Sequence, residues 1–183
     1  MPFGSHSVLC EIADDMINKN LPIHSPIVKT VLDLGIGNGM NACMIKNYKR
    51  NWIVDGIEYF KNYKNPMWSV YRNVEINDIL NINFDTYQKY DYVVMTDVIE
   101  HFQLSDALRL MDQLKKLLKK GGTLYISTPS VFMEQGVFEG NEKECHLCLI
   151  EKQHYLDRGY ELMKDGSKDS FGHFMLLGKW THL

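Results

Sequence analysis

A chain of 183 residues suits one domain of ordinary size. Its 45% hydrophobic and 23% charged residues are a globular mixture, and a net charge of −3 gives no bulk attraction for nucleic acid. No apolar run reaches the roughly 20 residues of a membrane span, and the opening MPFGSHSVLCEIADD lacks the basic and apolar regions of a secretory signal.

In chain order, Val8, Leu9, Ile12, Met16 and Ile17 recur at helical spacing over residues 7–19, predicting an amphipathic helix broken by Pro22 and Pro26. TVLDL then reads as a short buried strand, MNACMIKNY as a helix and WIVDGIEY as the second strand. SVYRNVEI is expected as a third strand, and YDYVVMTDV as a fourth, apolar enough to be covered on both faces. LSDALRLMDQLKKLLKK predicts one long helix capped by Ser105 or its predecessor, stopped by Gly121 and carrying Lys115, Lys116, Lys119 and Lys120 on a solvated C-terminal end. GTLYISTP is the fifth strand and a helix is expected near residues 151–158. YELMK and FGHFMLLGKW form an antiparallel pair joined by DGSKDS. Strands alternating with helices mean parallel βαβ units with right-handed crossovers. The expected architecture is a single α/β domain over 1–183, a Rossmann-like, doubly wound, mostly parallel seven-stranded sheet ending in an antiparallel hairpin. Residues 1–27 supply an N-terminal helix and linker, 28–130 the ligand-binding core, and 131–183 a substrate-side loop, the last helix and the hairpin.

The stretch VLDLGIGNGM places Gly35, Gly37 and Gly39 directly after the first strand. Glycine there allows a sharp turn, positive φ and close approach of a ligand to the backbone, and the next helix opens with free N–H groups. A dinucleotide loop would read G-x-G-x-x-G, but the third glycine position is Met40. Asp33, just before the loop, would repel a pyrophosphate and suits an ammonium group or ordered water. Glu58 ends the second strand, where a carboxylate accepts ribose hydroxyls. These features predict a ligand with a nucleoside and a positive amino group, and they speak against a nicotinamide-dependent reductase.

VLDLGIGNGM, VDGIEYF, VEINDIL, YDYVVMTDVIEHF and LKKGGTLYISTPS follow one another in the order and spacing of the S-adenosylmethionine-dependent methyltransferases with a Rossmann-like sheet, which this chain resembles over residues 28–130. The resemblance implies that Asp33, Gly35, Gly37, Asn38 and Gly39 hold the methionine part of S-adenosylmethionine and that Glu58 binds its ribose. It implies that Asp78 accepts from the adenine amino group with Asn77 or Ile79 beside the ring, and that Asp97 belongs to the cofactor site. A helix N-cap is the alternative role for Asp78.

If a short helix starts near Asp97, then Asp97, Glu100 and His101 share one face at i, i+3 and i+4, where they can share a substrate proton. The resemblance also implies that His146 returns towards the carboxyl ends of the strands, facing Asp97 and His101. His101, His146 and Asp97 are therefore the catalytic candidates, with local structural hydrogen bonding as the plainer alternative for this phrase. The expected reaction is O-methylation of a small molecule or sugar hydroxyl, with His101 or His146 accepting the proton, and without a metal. Two alternatives stand beside it. One is a metal-dependent branch that methylates the 2′-hydroxyl at RNA 3′ ends, in which Asp97, Glu100, His101 and His146 would hold the ion. The other is a non-catalytic cofactor-binding module of the same fold.

Cys10, Cys43, Cys145 and Cys148 lack the spacing of a disulfide framework, and CHLC has no second pair to complete a structural zinc site. The expected protein is reduced, soluble and cytoplasmic. Trp52, Trp68 and Trp180, and Met40, Met44, Met95 and Met111, are read as core packing. Ser5 and His6, before the first helix, are expected on the substrate side.

Overall fold

The computed structural model describes residues 6–18, 26–168 and 172–183. Helix α1 (His6–Asn18) precedes β1 (Thr30–Leu34), α2 (Met40–Tyr48), β2 (Ile53–Glu58), β3 (Asn73–Ile76), β4 (Tyr90–Thr96) and α3 (Leu104–Gln113). Then come β5 (Leu118–Pro129), α4 (Lys152–Leu156), β6 (Glu161–Lys168) and β7 (Phe174–Thr181). The seven strands form one sheet in the order β3-β2-β1-β4-β5-β7-β6. Every pairing from β3 to β5 is parallel, and β7 runs antiparallel to both β5 and β6. The order reverses between β1 and β4, and the carboxyl ends there frame the crevice where such sheets bind ligands.

Alternation along the strands builds the two faces. Leu32, Leu34, Val93, Met95, Leu124 and Ile126 point to one side, where they meet Leu110 and Met111 of α3 and Tyr155 of α4. Val31, Tyr92, Val94 and Tyr125 point to the other, against Val8, Ile12 and Met16 of α1 and Ala42 and Ile45 of α2. Helix α1 is also pinned by ion pairs, Glu11 with Lys164 and Asp15 with Lys179, both at about the length of a charge-assisted hydrogen bond. Among the described residues no helix is long and apolar enough to cross a membrane.

Three local expectations are corrected. The long helix over 104–120 ends at Gln113, becomes a 3-10 turn over Leu114–Leu117 and gives way to β5 at Leu118. Leu117 and Leu118 are both buried, and leaving the helix lets Leu118 pair with Tyr90 in the sheet. The N-cap is Gln103, without a side-chain cap. Gly122 then sits where a Cβ would lie 2.9 to 3.0 Å from three carbonyl oxygens, in the irregular stretch of the β4–β5 register. Lys119 therefore lies on a strand, paired with Asp91, while Lys116 pairs with Asp85 and Lys115 with Asp112. The expected strand over 69–76 is a 3-10 turn (Pro66–Val70) followed by a strand of only four residues, because Asn65 caps Met67 and Pro66 starts the turn. In DGSKDS, residues 165–168 belong to β6 through a register shift, and 169–170 lie outside the described residues. So do Ser5 and the side chain of His6.

Candidate active site

A cavity of about 870 Å³, counting its open mouth, lies at the carboxyl ends of β1, β2 and β4. The loop after β1 forms its floor. Gly35, Gly37 and Gly39 all have positive φ (70°, 50° and 90°), and a Cβ on Gly35 would sit 2.4 Å from Cγ2 of Val98. Here only glycine combines the left-handed backbone with the close packing.

Two buried carboxylates support this loop. Glu58 Oε2 accepts the Gly37 N–H at 2.9 Å, and its Oε1 accepts that of Phe60 at 2.8 Å. Asp33 is fully buried beneath the loop and does not line the cavity; it accepts from Tyr71 OH at 2.6 Å and from Asn41 Nδ2 at 2.7 Å. Burial pushes the Asp33 carboxyl up to about 6, against the pull of its two hydrogen bonds and helped by the charge of Glu58. Burial raises Glu58 as well. Asn41 also donates to Thr96 Oγ1 at 3.1 Å, tying the start of α2 to the tip of β4.

Several supports of this loop were not read from the sequence. Trp68 donates its indole N–H to the Gly37 carbonyl at 2.9 Å, and Asn65 donates to the Asn38 carbonyl at 3.1 Å. With Tyr71, they make the segment before β3 a bracket for the glycine loop. The one local signal was Asn65-Pro66, a helix-start pair just before the stretch read as a strand.

At the far end of the cavity, Asp78 takes the capping role weighed for it and also lines the cavity. Its Oδ1 caps the turn Ile79–Asn81 by accepting Leu80 N–H at 2.9 Å, and it lines the cavity beside Ile79. Asn38 and Gly37 also line it. Asn77 does not: its amide donates to Glu75 Oε1 at 2.8 Å. Gly39 lies outside the lining and serves as the N-cap of α2.

Asp97 lines the cavity from the end of β4 with φ 54°, and Ser127 Oγ donates to its Oδ1 at 3.1 Å. The helix expected from Asp97 is a 3-10 turn limited to Ile99–His101, so Asp97 does not share a face with Glu100 and His101. Glu100 is buried behind the cavity wall and accepts from Thr128 Oγ1 at 3.1 Å. Burial, with the Asp97 charge adding, pushes its carboxyl up to about 8.

His101 lines the cavity, and His146 stands beside it with ring centroids 4.9 Å apart. The Nδ1 of His101 lies 3.2 Å from the Cys145 carbonyl, and that of His146 lies 2.7 Å from the Met133 carbonyl. A carbonyl can only accept, so each Nδ1 carries a proton and each Nε2 keeps a lone pair in the neutral ring. Burial lowers the pKa of His101. Glu100, His101 and His146 each offer a ligand atom within 4.8 Å of the others, and Asp97 is not in that trio. Cys145 and Cys148 are free thiols that belong to no such trio among the described residues.

A cavity at the switch point of a doubly wound sheet, floored by a glycine loop and backed by carboxylates, defines a Rossmann-like nucleoside-binding protein. A family model described as a methyltransferase domain matches residues 6–164, and the chain belongs to that family. The nicotinamide-dependent alternative falls with that membership. Solved structures share the fold. The N-methyltransferase NodS from Bradyrhizobium japonicum, in complex with S-adenosyl-L-homocysteine, has a TM-score of 0.65 at 13% identity over 97% of this chain and 85% of that one. An amino pentose methyltransferase from Micromonospora echinaspora, involved in calicheamicin biosynthesis and solved with S-adenosylmethionine, has a TM-score of 0.65 at 14% identity over 97% of this chain and 91% of that one. An O-methyltransferase family protein from Burkholderia thailandensis has a TM-score of 0.59 at 15% identity over 95% of this chain; the match spans only 57% of that protein. A comparison with curated proteins gives no match.

Proposed function

We propose that this methyltransferase carries the methyl group of S-adenosylmethionine to a hydroxyl of a small molecule or sugar. The residues present fit the donor. Gly35 and Gly37 line the cavity, so a ligand can lie against their backbone, and a cation there would relieve the raised pKa values of Asp33 and Glu58. Gly35, Gly37 and Asn38 would hold the methionine end, with Asp33 and Gly39 shaping the loop from behind, Glu58 the ribose, and Asp78 with Ile79 the adenine. Asn77 contributes its place in the chain after β3 rather than a cavity contact.

The observation that carries the acceptor chemistry is the orientation of His101. Its Nδ1–H is committed to the Cys145 carbonyl, so the Nε2 lone pair is the free acceptor of a ring that lines the cavity. The bound donor supplies a methyl already activated on a sulfonium, so the protein mainly aligns the reactants. His101 Nε2 takes the hydroxyl proton as the oxygen–carbon bond forms and the carbon–sulfur bond breaks. Burial keeps His101 neutral, and therefore basic, around pH 7. His146 holds the neighbouring wall and gives the proton a second imidazole on its way out. Asp97 lies on the donor side of the acceptor.

The test is transfer of an isotope-labelled methyl from S-adenosylmethionine to a panel of small alcohols, phenols, sugars and amines. Labelled ethers support the proposal. Label found only on nitrogen overturns it, since a neutral amine needs no such base.

One observation favours a second reading. Glu100, His101 and His146 converge within 4.8 Å with both imidazole Nδ1–H groups fixed by carbonyls, the pattern by which proteins orient histidine ligands. These three side chains would hold a divalent ion, which would supply Lewis-acid activation of the acceptor oxygen. Activity abolished by a chelator and restored by Mg²⁺ or Mn²⁺ would favour this reading; full activity in the chelator would remove it.

A further inference from the structure

The segment from β5 to α4 carries His146 on the acceptor side, yet part of it crosses to the opposite flank of the cavity. Its turn Glu142–Glu144 lies against residues that follow β2 and β3, which are three and four places from β5 in the sheet. Lys143 Nζ is 2.9 Å from Asp78 Oδ2 and 5.2 Å from the ring centroid of Tyr59. Tyr63 OH donates to Glu144 Oε1 at 2.8 Å, and Asn141 Nδ2 to Tyr63 OH at 3.4 Å. Gln135 braces the turn from behind, donating to the Glu144 carbonyl at 2.8 Å. Asn141, Lys143 and Glu144 all line the cavity.

We propose that this turn is a strap over the nucleoside end of the cofactor cavity, and that Lys143 is a positioning residue that fastens it to Asp78. The two attachments differ in kind. Glu144 and Asn141 are buried, so the Tyr63 hydrogen bonds act as the hinge. The Lys143 side chain is 44% exposed, so its ion pair is weak and screened by salt, as a fastening that must open requires. A nucleoside reaching Asp78 has to part that pair, and once it closes again the strap retards escape. The same segment reaches His146 two residues beyond Glu144, so a seated cofactor fixes the acceptor wall and is bound before the acceptor. The inference rests on the cofactor reading above and not on the identity of the acceptor.

Stopped-flow fluorescence of S-adenosylhomocysteine binding tests it on the full chain, with Trp68 beside the glycine loop as reporter. Lys143→Met is expected to speed both association and dissociation by about twofold to fivefold, a gating effect worth no more than one weak ion pair. Its equilibrium constant should change far less than either rate. Lys143→Arg should restore the wild-type rates. Added salt should speed the wild-type chain towards the Lys143→Met values and leave that variant unmoved, a readout that needs no mutant to fold. Unchanged rates in Lys143→Met, or slower association with weaker affinity, overturn the strap while leaving the cofactor reading in place. No binding by the wild-type chain overturns both.

Discussion

The Glu58 carboxylate accepts the backbone N–H of Gly37 at 2.9 Å, so the tip of β2 grips the loop that follows β1. Below that contact lies Asp33, held by Tyr71 and Asn41, and the charge of Glu58 adds to the cost of ionising it. Two acidic groups are thus buried under one glycine loop, and among the described residues no cation hydrogen-bonds to either. An anionic phosphate would worsen this arrangement, whereas a ligand bearing an ammonium and a sulfonium would relieve it.

The first prediction follows from that electrostatic debt. A cationic ligand stabilises the carboxylates over the acids, so it lowers their pKa values and binding releases protons near pH 6, where Asp33 titrates. Affinity for S-adenosylhomocysteine, which keeps the ammonium, should rise as pH increases through this range. Calorimetry near pH 6 in two buffers of different ionisation enthalpy measures the protons released. Heats that do not depend on the buffer would contradict the coupling.

The second prediction concerns the free protein. The Asp33 pKa is raised from 3.8 to about 6 on folding, so its contribution to stability is fully present below pH 3.8 and is lost as pH rises through 6. Asp33→Asn removes the titration and keeps an acceptor for Tyr71. Relative to the wild type, the variant should gain of order 2 kcal/mol between pH 4 and pH 8, the size of a two-unit shift after allowance for relaxation. Urea denaturation at both pH values reads the difference, and a gap that stays constant or shrinks would show that Asp33 is not held at this cost.

The two histidines give the third. His101→Gln should lower kcat by about 100-fold or more, within the usual range for a lost general base. Affinity for S-adenosylhomocysteine should stay within about threefold, because the lost group serves the acceptor. His146→Ala should also affect turnover more than cofactor affinity. Because burial lowers the His101 pKa below 6.5, the acid limb of kcat/KM should fall below that pH, and it should vanish in His101→Gln. Unchanged turnover in both variants would remove the imidazoles from the chemistry.

What was legible in the sequence was local. The near-continuous apolar runs in VLDL, YVVM and TLYI mark strands buried on both faces, and the glycine spacing marks the turn that follows the first of them. The place of Glu58 beside the cavity was legible because it depends only on where the second strand ends. The contacts that complete the loop were not. Trp68 reaches Gly37 across 31 residues and Tyr71 reaches Asp33 across 38, and periodicity reports that such aromatic rings are buried without naming what their polar ends hold. The same limit explains why Asp97 was grouped with Glu100 and His101: helical spacing was assumed where its positive φ sets it apart from the turn. The end of α3 was misplaced because Leu114, Leu117 and Leu118 suit a helix by spacing, while the sheet claims the last of them.

The fourth prediction tests the glycine loop through its packing. In Gly35→Ala the new Cβ would meet Val98 Cγ2 at 2.4 Å and Cγ1 at 3.1 Å, on a backbone at φ 70°. Left-handed backbone alone costs an alanine about 1 to 2 kcal/mol, and the overlap adds overpacking of about 1 to 3 kcal/mol. Val98→Ala removes both offending methyls and leaves the Val98 Cβ at 3.4 Å, an ordinary contact. The double variant should therefore be more stable than Gly35→Ala alone, recovering about 1 kcal/mol or more, although Val98→Ala by itself destabilises. Urea denaturation of the four proteins in the cycle measures the coupling. Strictly additive losses would mean that Gly35 is required only by its backbone angle, and the close approach of Val98 to the loop would lose its part in shaping the cavity floor.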